Sequence, residues 1–154
     1  MSGPRPAPVD MVVDSSAVLA ILLGEEPARR LADALRASRG PVVSAAILAE
    51  LTIVAEARLG DGGADAARAV LDAGEVVSVP VDAVIAGSAL DAWRRFGKGN
   101  HPAGLNFGDC FSYATAAHYD VPLLCVGGDF HRTDHRPDDR EFFNRPEMAE
   151  VRVT

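Results

Sequence analysis

A chain of 154 residues with a formal charge of −7 is long enough for one domain with a substantial core, and too acidic to coat nucleic acid by charge alone. Apolar residues make up 48 % of it, yet none of its apolar runs nears the roughly 18 residues of a bilayer span, so no membrane role is expected. Its two cysteines, Cys110 and Cys125, lack zinc-ligand spacing and read as small, buried, reduced side chains.

In chain order, residues 1–9 are proline-rich and lack the apolar core of a signal peptide, which predicts a loose extension and a cytoplasmic protein. The run Met11–Val13 predicts a strand closed by Asp14. Ser15 or Ser16 can cap a helix running through Val18, Leu19, Ile21 and Leu22 to Gly24. A second helix starts near Pro27, carries Leu31 and Leu35 four apart, and stops at Gly40. A strand at Pro41–Val43 leads into a helix from Ser44 to Leu59, apolar on more than one face, with Glu50 within it. An alanine-rich helix follows over Ala64–Ala73, then a strand over Val76–Val79 and a helix over Asp82–Phe96.

Three glycines and a proline make 97–106 a loop, after which Asp109 opens a helix over Cys110–Tyr119. Leu123–Val126 is the last clear strand, followed by Gly127, Gly128 and Asp129. Short apolar strands separated by helical crossovers predict an α/β fold, a three-layer α/β/α sandwich with a mainly parallel central sheet. The expected domain covers residues 10–137; residues 138–154 form a polar tail in which Val151–Val153 can add an edge strand.

Four acids then stand out. Asp14 and Asp129 follow strands, Asp109 begins a helix, and Glu50 shares a helical face with Ile47 and Val54, where an unpaired charge is costly to bury. Singly each has an ordinary reading: Asp14 and Asp109 as helix caps, Asp129 as a turn residue, Glu50 at the edge of its apolar face. Together, at the carboxyl ends of parallel strands, they would converge on one crevice. Several carboxylates there need protons or a divalent cation, and hard oxygen ligands select Mg²⁺ or Mn²⁺, the ions of phosphodiester chemistry.

The stretches Val12-Val13-Asp14-Ser15-Ser16-Ala17 and Leu105-Asn106-Phe107-Gly108-Asp109-Cys110-Phe111-Ser112-Tyr113-Ala114 resemble those of PIN-domain ribonucleases, more narrowly the VapC toxins of bacterial toxin–antitoxin pairs. The loop from Gly97 to Gly104 fits one VapC subgroup, Ala49-Glu50-Leu51 matches the family's helical Glu, and Gly128-Asp129-Phe130 matches its late motif with Gly128 in place of the usual Asn. The resemblance implies a metal-dependent endoribonuclease in which Asp14 and Asp109 ligate Mg²⁺ or Mn²⁺. Glu50 and Asp129 complete the acidic pocket, with Asp129 the least well matched. Ser16 and Asn106 either orient those ligands or serve as a helix cap and a loop turn. The implied RNA substrate is commonly transfer RNA, the implied partner is a VapB-type antitoxin, and homodimers are usual.

Arg94, Arg95 and Lys98, the only lysine among 15 basic residues, flank the loop before Asp109. They read equally as a grip on RNA phosphates and as a solvated helix end. Leu19, Leu22, Leu31 and Leu35 read either as an exposed groove for an antitoxin helix or as core. His101 reads as a loop residue of no fixed role. Phosphatases with Asp-x-Asp, receivers with a paired acid and P-loop proteins are excluded by Asp14-Ser15-Ser16 and by Gly99 after Lys98. The remaining alternatives are a housekeeping PIN nuclease without an antitoxin and a non-cutting module that binds RNA or a partner.

Overall fold

The computed structural model describes residues 8–127 and the strand Val151–Val153. The first strand, β1 (Met11–Val13), lies at the centre of a five-stranded sheet. On one side it pairs in parallel with β2 (Pro41–Ser44), which pairs in parallel with β3 (Val77–Val79). On the other side it pairs in parallel with β4 (Leu123–Val126). The strand β5 (Val151–Val153) joins β4 antiparallel, which makes it the sheet's edge.

Side chains alternate across the sheet and sort the core into two layers. Val12, Val42, Val79, Leu123 and Cys125 face α5 (Ala83–Phe96) and α6 (Phe107–Tyr119). Met11, Val13 and Leu124 face α1 (Ser15–Leu23), α2 (Ala28–Ala37), α3 (Ala45–Leu59) and α4 (Gly63–Ala73). The molecule is therefore the α/β/α sandwich that the sequence predicts, four of its strands parallel.

Helix starts are set by polar caps. The Ser44 hydroxyl accepts from the Ile47 amide at 3.1 Å, and the Asp82 carboxylate from the Ile85 amide at 2.9 Å. Those two residues, read as helical from sequence, are the caps that stand just outside α3 and α5. The last helix departs further from expectation. It begins at Phe107, with Asn106 as its cap and Asp109 inside the first turn. Asn106 and Asp109 exchange bonds, Asp109 N–H to Asn106 Oδ1 at 2.8 Å and Asn106 N–H to Asp109 Oδ2 at 3.0 Å. This reciprocal box satisfies two donors that a helix start would otherwise leave open, which is why helix formation extends back past Asp109.

Of the two readings of the leucines on α1 and α2, groove or core, Leu31 and Leu35 take the second. Leu31 is 0 % exposed and Leu35 4 %, both packed in the core beneath α1 and α4. Leucines four apart on a ten-residue helix with an apolar stripe turn inward, because burial is worth about 1.5–3 kcal/mol per side chain. Leu19 and Leu22 are half-buried at the rim of the same core.

Candidate active site

The strand order reverses direction at β1: β2 and β3 lie to one side, β4 and β5 to the other. Ligands of open α/β sheets bind beyond the carboxyl ends of the strands at such a switch point. Asp14 stands there as the first residue past β1, its amide bonded to the Leu124 carbonyl at 2.9 Å. Its side chain is 3 % exposed. Oδ2 accepts from the Ser16 amide at 3.1 Å and the Ser16 hydroxyl at 2.6 Å, and Oδ1 accepts from the Ser112 hydroxyl at 2.5 Å. Asp14 therefore caps α1 and also reaches α6. The Ser16 hydroxyl in turn accepts from the Val126 amide at 3.0 Å, tying β4 to the same corner.

Glu50 reaches this corner from α3. Its Oε1 accepts from the Ser15 hydroxyl at 2.8 Å, so neighbouring serines hold the two carboxylates, Ser15 on Glu50 and Ser16 on Asp14. Its other oxygen lies over the first turn of α6. A Cβ placed on Gly108 would stand 1.8 Å from Glu50 Oε2, so only glycine leaves room for the carboxylate. Asp109 follows Gly108 and precedes Ser112 by three residues, hence on the same helical face as the hydroxyl that holds Asp14. Three carboxylates from β1, α3 and α6 thus surround the beginning of one helix.

Among the described residues, Asp14 and Glu50 form no ion pair with Arg, Lys or His. Their charge is met by hydroxyl and amide dipoles. No three His, Cys, Asp or Glu side chains among the described residues already close into a cage for an ion. Asp109 is turned back into its capping box, and Asp129 lies outside the described residues. An all-oxygen donor set without a compensating protein cation fits a hard divalent ion.

Of the two ordering residues singled out from sequence, Asn106 both caps α6 and holds Asp109, whereas Ser16 lies inside α1 and holds Asp14, which is itself the cap in place of the serines the sequence offered. Three contributors escaped sequence reading: Ser15, Gly108 and Ser112. Ser112 is 0 % exposed and 98 positions from Asp14, and its place three residues after Asp109 in the stretch that carries the resemblance was its only trace. Cys110, beside Asp109, is free and buried. Burial, and then the Asp109 charge, push its thiol from 9.0 up to about 11, so it stays protonated and unreactive near neutrality.

The basic residues lie outside this ring. Arg94, Arg95 and Lys98 are all exposed. Arg94 pairs with Asp91 at 3.5 Å, and the Arg95 guanidinium lies 4.7 Å from the centre of the Phe96 ring. His101 does have a fixed role. Its Nδ1 accepts from the Ala103 amide at 3.0 Å and its ring meets Phe96 edge-on at 5.2 Å, closing the loop.

A parallel α/β sheet with carboxylates gathered at its switch point is the arrangement of acidic, phosphodiester-cleaving enzymes. The PIN domain pattern matches residues 11–136. Ribonuclease VapC of Mycolicibacterium smegmatis is 44 % identical over 124 residues, covering 80 % of this chain and 96 % of that protein. Ribonuclease VapC30 of Mycobacterium tuberculosis H37Rv is 43 % identical over 124 residues, covering 80 % and 95 %. The chain belongs to the PIN-domain family and, within it, to the VapC ribonucleases, the toxins of toxin–antitoxin pairs. The crystal structure of Mycobacterium tuberculosis VapC20, a "Sarcin-Ricin loop cleaving toxin", shares the fold. It superposes with a TM-score of 0.63 at 22 % identity, over 79 % of this chain and 93 % of that one. A toxin–antitoxin complex from Klebsiella pneumoniae matches at 0.61 and 16 % identity, over 82 % and 94 %.

Proposed function

We propose that the chain cuts RNA internally, with Mg²⁺ or Mn²⁺ held by Asp14 and Asp109 and with Glu50 and Asp129 completing the pocket. The observation that carries this reading is the convergence of Asp14, Glu50 and Asp109 on the start of α6, with no protein cation paired to Asp14 or Glu50 among the described residues. When bound, the ion would help activate water and stabilise charge developing on the scissile phosphate.

The chain's own residues supply orientation and proton transfer. Ser16 and Ser112 fix both oxygens of Asp14, which sets the direction of its remaining lone pairs. Asn106 fixes one oxygen of Asp109 in the same way. Glu50, half-buried and held at one oxygen by Ser15, has its second oxygen available to take a proton from an attacking water. Lys98, Arg94 and Arg95 supply positive charge to flanking phosphates.

A VapB-type antitoxin is the proposed partner. The cleft between α1, α2 and α4 supports a docking place for one of its segments. This cleft of about 190 Å³ is lined by Ile21, Ala32, Leu35, Arg36 and Val70, with Leu35 forming part of its floor. A cytoplasmic homodimer acting on transfer RNA is the corresponding expectation from the family; among the described residues no helix is long and apolar enough to cross a membrane.

The test is incubation of antitoxin-free protein with total cellular RNA in Mg²⁺ or Mn²⁺ and, separately, in EDTA. Discrete fragments that vanish with EDTA are expected. Intact RNA throughout, with folded and metal-supplied protein, overturns the nuclease assignment.

A further inference from the structure

Three of the exposed large apolar side chains gather where α5 meets the start of α6. Leu90 and Trp93 of α5 are each 46 % exposed, and Phe107, the first residue of α6, is 79 % exposed. Scattered exposed apolar side chains are ordinary. These three instead line one cavity of about 460 Å³, with Phe111, Lys98 and Asn106. That volume lies in the range of small-ligand sites, about 300–1,000 Å³, and is too confined for a partner's helix.

The walls of the cavity are held in place. Phe107 and Phe111 sit four apart on α6 with ring centres 4.9 Å apart, edge to face. Trp93 lies against Gly97, where a Cβ would stand 2.6 Å from its indole ring. The neck of the loop is closed by Lys98 N–H to the Leu105 carbonyl and Leu105 N–H to the Phe96 carbonyl, both 2.9 Å. This closure keeps Lys98 on the rim near Asn106. Asn106 spends its carbonyl oxygen on the Asp109 amide, so the NH₂ group of the same side chain keeps its donors for the cavity. Phe107 and Asp109, two positions apart, leave α6 on roughly opposite faces, and Asn106 joins them: it lines the cavity and accepts from the Asp109 amide.

We infer that this cavity is a subsite for one unpaired nucleobase of the RNA, next to the phosphate that is cut. Aromatic faces take an unstacked base of any identity, Lys98 meets the adjoining phosphate, and the Asn106 amide can donate to a base edge. The subsite is linked to the acids through Asn106, and it restricts cutting to single-stranded loops and ends. The inference rests on the ribonuclease reading of the acid ring, and its test separates the two.

Trp93 is the only tryptophan, so its fluorescence reports on the cavity alone. Asp14→Asn protein is titrated with single-stranded RNA octamers of A, of U, and of abasic ribose phosphate. Quenching by the base-bearing octamers and not by the abasic one is the expected result. In cleavage assays with active protein, Phe107→Ala should raise KM about tenfold rather than lower kcat, and Phe107→Tyr should restore it. Phe107 is mostly in solvent, so its truncation leaves the core intact. Equal quenching by the abasic octamer, or an unchanged KM in Phe107→Ala, overturns the base site. So does sedimentation showing a second copy covering Trp93 before RNA is added. If active protein cuts no RNA while quenching still requires a base, the nuclease reading falls and the base site stands. If it cuts RNA and no octamer quenches Trp93, the base site falls alone.

Discussion

Two aspartates stand at the two ends of β1, and they are held by different kinds of donor. Asp10, before the strand, accepts from the amides of Arg39 at 2.9 Å and Gly40 at 3.1 Å, and from the Ser38 hydroxyl. Asp14, after the strand, accepts from two hydroxyls, Ser16 and Ser112, and one amide. The Asp10 contacts fasten a turn, because backbone amides cannot re-aim without moving the chain. The Asp14 contacts come largely from rotors on two helices, and they leave the carboxylate beside Glu50 and the first turn of α6. One end of the strand is a clasp; the other gathers charge that no Arg, Lys or His among the described residues pairs with at Asp14 or Glu50.

The largest expected effect separates these two ends. Asp14→Asn and Asp109→Asn should each lower RNA cleavage by about 10²- to 10³-fold or more, as losses of transition-state charge stabilisation do, with circular dichroism unchanged. A smaller effect, about a hundredfold, is expected for Gly108→Ala, whose new methyl group pushes Glu50 aside. Its thermal midpoint should hold or rise, since alanine favours helix and the Glu50 carboxylate is the end of a flexible side chain. Cleavage at the wild-type rate by this variant would remove Glu50 from the chemistry.

Ser112→Ala deletes one holder of Asp14, and about ten- to a hundredfold of activity should go with it. It should also cost about 1–3 kcal/mol in chemical denaturation, because a buried carboxylate oxygen loses its donor. The weakest effect on cleavage belongs to the opposite end of the strand. Asp10→Asn should lower stability by about 1–3 kcal/mol while cleavage per folded molecule stays within twofold of wild type. A large loss of cleavage in folded Asp10→Asn would erase the contrast between the two ends.

Much of the frame was legible in the residues. Met11–Val13 and Leu123–Val126 are apolar runs bounded by polar or turn residues, Asp14 and Asp109 stand in local patterns that place them at a strand end and a helix start, and Glu50 stands out on an apolar helical face. What stayed hidden depends on tertiary approach. Nothing near Ser112 announces a carboxylate 98 positions away, and Gly108, which the sequence left ahead of the helix, shows its use only with Glu50 above it. Leu31 and Leu35 stayed open between groove and core for the related reason that a helical apolar stripe does not say whether another helix covers it. Exposed apolar side chains that share one cavity are found instead at Leu90, Trp93 and Phe107, where α5 and α6 meet beside the loop.

The most direct test of the central claim, that these carboxylates form one cation site, is a calorimetric titration of Mn²⁺ into wild-type, Asp14→Asn and Asp109→Asn protein. Saturable binding by the wild type that weakens by at least about tenfold in each variant is the predicted result. Equal Mn²⁺ affinity in all three folded proteins would contradict it, and the acids at the start of α6 would then be structural.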